Sequence, residues 1–184
     1  LTGAGAVAVG PGATLGNGGP GPVAVALTVA GPPAGPQPAL AQGYAVARET
    51  FALDGAPAPL DGARQGERRV VVLTVTADAA RSGRLIVADP LPAGFEIDNP
   101  ALVRGGELAA FGWLEGVTDP AHVAFEDDRF AAALDWREAG ALRLAYVVRA
   151  TAPGLYRHPA ASVEDMYRPD LRGRSAGGMV RVLP

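Results

Sequence analysis

The 184-residue chain contains no cysteine, so disulfides, thiol catalysis and thiolate-ligated metals are out of reach. It contains no lysine either; all 16 residues of the Lys+Arg count are arginine. Schiff-base chemistry and a P-loop lysine are thereby excluded. Aromatic residues make up only 6%, so the core has to be built mainly from Ala, Val and Leu. No apolar run reaches the roughly 18 residues of a membrane-spanning helix. The opening LTGAGAVAVGPG lacks the basic flank of a signal peptide. Beginning at Leu1 rather than at methionine, the chain is expected to be an excised piece of a longer protein. The formal net charge is -3 with acids and arginines interspersed, and without a basic patch nucleic acid is not an expected partner.

What is abundant is turn chemistry. Gly 25 and Pro 17 fall between apolar runs, a spacing that favours all-β architecture. Tyr44–Leu53 alternates. Arg68–Ala79 places Val70, Val72, Thr74 and Thr76 on one face and Val71, Leu73 and Val75 on the other, as a strand buried on both sides would. Leu85–Ala88, the FEI stretch, Leu142 to Val148 and the closing GGMVRVLP supply further strands. The stretch DDRFAAALDWREAG has a helical composition, but Phe130, Ala132, Leu134 and Trp136 alternate, and a strand is expected there. The expected fold class is an all-β, immunoglobulin-like antiparallel β-sandwich of about seven strands. Before it, Val23, Val25, Leu27 and Val29 alternate within Pro22 to Gly31, which predicts another strand. The prolines of Gly31 to Gly43 read as a linker. The domain boundary is set near Gly43, giving segments 1–42 and 43–184.

Candidate chemistry is sparse. Adjacent carboxylates occur at Glu126–Asp128 and at Glu164–Asp165, but neither has the alternating oxygen ligands of a calcium loop. His122 and His158 are the only histidines, too few for a zinc set without inventing tertiary structure. Glu164 and Asp165 would point to opposite faces of a strand and make no facing acid–base pair. Ser82, Ser162 and Ser175 sit in turn-like surroundings with no G-x-S-x-G elbow. The glycines of GPGATLGNGG precede no helix that could aim amides at a phosphate. No metal, cofactor or catalytic residue is expected, and no enzyme. The Pro-rich stretch Asp89–Pro100 reads as a rigid connection, with contact to a neighbouring domain as the alternative.

Several stretches together resemble one family, the C-terminal part of bacterial alpha-2-macroglobulins, which are thioester-type protease inhibitors. They are GYAVARETFALDG (43–55), ADPLPAGFEIDNP (88–100), HVAFEDDRFAAAL (122–134), LAYVVRATAPGLYRHPAASVEDMYRPDLRGRSA (144–176) and the closing GGMVRV. The start, PVAVALTVAGPPAGPQP, resembles the return segment that leaves the thioester domain and completes the preceding β-domain. The resemblance implies a large periplasmic parent, commonly an inner-membrane lipoprotein. A bait region is cut by invading proteases, and a Cys–Gln thioester then captures them. A penicillin-binding protein is often encoded beside such proteins and is a candidate partner.

The domain itself would be non-catalytic. It would pack on the thioester domain and help keep the thioester dry. The chain has no Cys-x-x-Gln-type motif of its own, and a second bacterial subfamily lacks the thioester altogether. By this resemblance Met166 and Tyr167 are the expected contact with the thioester domain. Met is adaptable, and Tyr joins a flat apolar ring to a polar end. The alternative reading makes Tyr167 a corner tyrosine bonded to its own backbone. Glu164 and Asp165 are expected to pair with arginines or cap loop amides. A stand-alone cell-surface or adhesion sandwich is the competing reading. A carbohydrate-binding module, with Trp113 and Trp136 as its aromatics, stands third.

Overall fold

The computed structural model describes residues 9–10, 12–28, 35–98, 111–126, 128–137 and 140–184. The chain divides into two compact units, Leu1–Pro32 and Pro33–Pro184.

In the first unit the expected strand does not form over its described part. Residues 22–28 form no strand with any described residue, and Val23, Val25 and Leu27 are exposed. The remainder of that expectation, 29–31, lies outside the described residues. The physical reason is that alternation specifies one buried face but provides no partner. A strand needs a neighbour for its amides and a sheet to cover its valines.

The second unit is an antiparallel sandwich with no helix among the described residues. Its strands among the described residues are β1 (Leu40–Gln42), β2 (Tyr44–Phe51), β3 (Ala63–Arg64), β4 (Arg68–Ala77), β5 (Gly83–Pro90), β6 (Phe95–Ile97), β7 (His122–Glu126), β8 (Arg129–Trp136), β9 (Ala141–Ala150), β10 (Gly154–His158), β11 (Ser162–Asp165), β12 (Arg172–Arg174) and β13 (Gly178–Leu183). One sheet runs β1-β12-β11-β5-β8-β7, the facing one β2-β4-β9-β6, and a small third β10-β13-β3. Strand β1 lies just ahead of the boundary read at Gly43 and pairs with β12, Leu40 opposite Arg174.

Strand β4 is buried on both faces for the physical reason its sequence announced. Val71, Leu73 and Val75 join the main core between the sheets, while Val70 and Val72 face a second apolar cluster. That cluster closes with Phe51, Leu53, Phe111, Trp113, Leu114 and Val117 lying over the outer side of the sheet. Pairing decides β8. Eight register pairs join it to β5, from Gly83 opposite Trp136 to Pro90 opposite Arg129, and Phe130, Ala132, Leu134 and Trp136 all turn inward. Helix propensity, worth tenths of a kcal/mol per residue, loses to that burial.

The two main sheets are tied across the core at one polar point. Phe130 of β8 stacks on Tyr146 of β9, centroids 4.5 Å apart and planes 9° from parallel. The Tyr146 hydroxyl donates to Asp89 of β5 at 2.6 Å, and Arg48 of β2 donates to the same carboxylate at 2.5 Å. The connection after Asp89 is rigid over its described part. Leu91 N–H bonds to the Asp128 carbonyl, and Phe95 N–H closes a turn on Pro92. Residues 99–100 of that stretch lie outside the described set.

Candidate functional site

The segment from Ser162 onward forms β11, a turn, and β12. Glu164 points outward and Asp165 inward, the opposite-face arrangement that adjacent strand residues must adopt. Asp165 is 1% exposed, and a buried carboxylate has to find donors. It finds four. Its Oδ1 accepts from Tyr167 N–H at 3.0 Å and Arg168 N–H at 3.1 Å. Its Oδ2 accepts from Arg168 Nε at 2.9 Å and from an Arg168 terminal nitrogen at 2.6 Å. The same guanidinium reaches the Ser82 carbonyl. Burial pushes the Asp165 pKa up, but the bonds from Arg168 and the two amides more than offset it, so the net shift is downward. Asp165 is an arginine partner and a cap for loop amides at once, the role expected for the acid pair.

The turn that follows carries Met166 and Tyr167, 47% and 74% exposed. Met166 N–H bonds to the Arg84 carbonyl on β5, and Leu171 N–H returns to the Arg168 carbonyl. The Tyr167 side chain meets Arg84, whose first partner is Asp135 at 2.9 Å. Tyr167 therefore turns to a neighbouring strand rather than to its own backbone. The corner role belongs to Tyr156, which bonds back to the Pro153 carbonyl at 3.1 Å. Sequence alone offered no means of choosing between these two tyrosines.

Beneath the tip the packing is tight. A Cβ on Gly83 would stand 2.6 Å from Asp165 Oδ2 and 2.9 Å from the Tyr44 hydroxyl. Tyr44 packs edge-on against Trp136 with Arg81 over its ring. Burial first, and then Asp165, raise the Tyr44 pKa.

The other sequence candidates come apart in space. No group of three or more His, Cys, Asp or Glu side chains fit to hold a metal occurs among the described residues. Glu126 pairs with Arg129 in its own hairpin. His158 sits in a groove of about 470 Å³ with Arg48, Thr50 and Ser175. Burial, and then the nearby Arg48 charge, depress its pKa to about 3. Trp136 is buried in the core, and Trp113 packs on Phe51 and Phe111 with its Nε1 on the Leu53 carbonyl at 3.0 Å. The two indoles form no shared platform for a sugar.

A family profile described as "Bacterial Alpha-2-macroglobulin MG10 domain" matches residues 43–170. An alpha-2-macroglobulin of Xylella fastidiosa (strain 9a5c) is 36% identical over 135 residues, 70% of this chain and 8% of the relative. Salmonella alpha-2-macroglobulin reacted with methylamine superposes with a TM-score of 0.70 at 34% identity, over 83% of this chain and 10% of that one. Escherichia coli alpha-2-macroglobulin activated by porcine elastase gives 0.69 at 30% identity, over 83% and 14%. The chain thus spans about a tenth of the length of the relatives it matches.

Proposed function

The chain belongs to the bacterial alpha-2-macroglobulin family, and from that premise we propose that it is the non-catalytic C-terminal domain of such an inhibitor. In this reading the Met166–Tyr167 tip packs on the thioester domain and keeps the thioester from water until a protease cuts the bait. The observation that carries the reading is the tip itself. A 74% exposed tyrosine beside a half-exposed methionine stands on a turn whose Met166, Tyr167, Arg168 and Leu171 amides all bond within the domain. An ordered apolar tip left bare on one domain fits a partner surface supplied by another.

Two relatives support the chemistry. One has been reacted with methylamine, and a small amine opens a thioester. Another is activated by an elastase, as a bait-cleavage trigger requires. The chain has no cysteine and so supplies neither the thioester that an attacking amine opens nor the bait, and capture belongs to the rest of the parent. The exposed Val23, Val25 and Leu27 support reading the segment before the sandwich as a strand that completes the sheet of the preceding domain. A periplasmic, lipoprotein-anchored parent completes the proposal, with target proteases and a penicillin-binding protein as its outside partners.

The test is Tyr167→Ala in a full-length, thioester-bearing parent. Free thiol should appear faster on methylamine addition, and spontaneously before any protease is added. Identical thiol release in parent and variant would remove the shielding role. The 184-residue chain alone should inhibit no protease, and measurable inhibition would overturn the modular reading.

A further inference from the structure

We propose that Asp165 is the positioning residue of the tip, holding Met166 and Tyr167 in their docking conformation before any partner arrives. The inference rests on the reading of that tip as the thioester-domain contact. Its own basis is local. Four donors converge on one buried carboxylate, and all four belong to Tyr167 and Arg168. Two of them are the backbone amides that set the direction of the turn.

Arg168 also clamps the Ser82 carbonyl, so the turn is anchored to the start of β5 as well as to β11. Gly83 lies directly beneath the carboxylate, where a Cβ would stand 2.6 Å from Asp165 Oδ2. An exposed turn of this length would otherwise sample many conformations, and each would have to be frozen on docking. A carboxylate that fixes the turn in the free domain removes that cost from the contact.

Two substitutions separate positioning from contact. Asp165→Asn keeps the size but turns an amide toward the Arg168 guanidinium. Gly83→Ala leaves every tip residue in place and intrudes on the carboxylate from below.

In the thioester-bearing parent, each should raise the rate of methylamine-driven thiol release by about tenfold. A hydrogen bond to a charged group is worth roughly one to two such factors. In a background carrying both Met166→Ala and Tyr167→Ala neither should add anything, because both groups being positioned are gone. Effects that multiply in those combined variants, or an Asp165→Asn variant as protected as the parent, would overturn the proposal.

Should Tyr167→Ala itself leave the rate unchanged, the contact reading fails. The positioning claim is then decided on this chain alone, by backbone order parameters at Met166 to Arg168. They should lie near the roughly 0.85 of rigid strands in the unmutated chain and fall below about 0.6 in both variants. Unchanged order would refute positioning.

Discussion

Asp89 and Asp165 are both aspartates at opposite ends of the paired strands β5 and β11, and both are 1% exposed. Their proton affinities nevertheless move in opposite directions. Burial raises the Asp89 pKa, and the Arg48 charge and the Tyr146 hydroxyl do not cancel it. At Asp165 the bonds from Arg168 and two amides overcome burial, and the pKa falls. The difference lies in the surroundings. Asp89 is sealed in the core with a guanidinium that is itself only 8% exposed. The Arg168 side chain remains 46% exposed, so the carboxylate gains a cation that water still stabilises. One acid ties the two sheets together inside the fold, and the other shapes a surface turn.

The largest effect should come from breaking the inner clasp. Asp89→Ala strands Arg48 and the Tyr146 hydroxyl in the core, and a buried pair broken on one side costs roughly 3–5 kcal/mol. Urea unfolding would measure it, and a loss below about 1 kcal/mol would contradict the account of the core.

Next is His158, packed beside the same arginine. Its folded pKa is depressed to about 3, so its neutral form favours folding. That stability is present above the ordinary histidine pKa and drains away as pH falls toward 3. The loss is at most about 1.4 kcal/mol per pH unit. The urea midpoint should fall by about 2 kcal/mol equivalent between pH 7 and 5, and His158→Gln should flatten that slope.

Smaller is Asp165→Ala, at about 1–2 kcal/mol, the scale of a lost loop or helix cap. Its pH signature sharpens the comparison. A depressed carboxylate contributes stability above its unfolded pKa and loses it as pH falls through the folded value. A raised one, Asp89, contributes most below the ordinary carboxylate pKa and loses that contribution as pH climbs through its raised value. Asp165→Asn and Asp89→Asn should therefore tilt the acid limb of the stability curve in opposite senses. Tilts of the same sign would erase the distinction drawn here.

Much of the sandwich was legible because its signals are local. Alternation placed β2, β4, β5, β9 and β13, and stretches from Gly43 to the closing GGMVRV carried the family resemblance. The β8 segment was legible only against propensity, because Phe130 to Trp136 kept a period of two. The strand expected from Pro22 was misplaced over 22–28 because periodicity cannot supply a partner. The tip was legible as composition, Met-Tyr beside paired acids, but the division of labour between Glu164 and Asp165 was not. It depends on Gly83, Ser82 and Arg84 reaching the turn from β5, about eighty residues away in sequence, and pairing at that separation leaves no trace in a single chain. The corner tyrosine was not legible: sequence alone offered only Tyr167 for that role, whereas Tyr156 takes it through the turn at Pro153–Gly154.

The central claim is that Tyr167 touches the thioester domain in the resting parent, and cross-linking tests it most directly. A photoreactive phenylalanine analogue at position 167 of a full-length, thioester-bearing parent should give an intrachain adduct that maps to the thioester domain. That adduct should be lost once a protease has cut the bait. An adduct confined to a different molecule, or the same adduct before and after cleavage, would contradict the account.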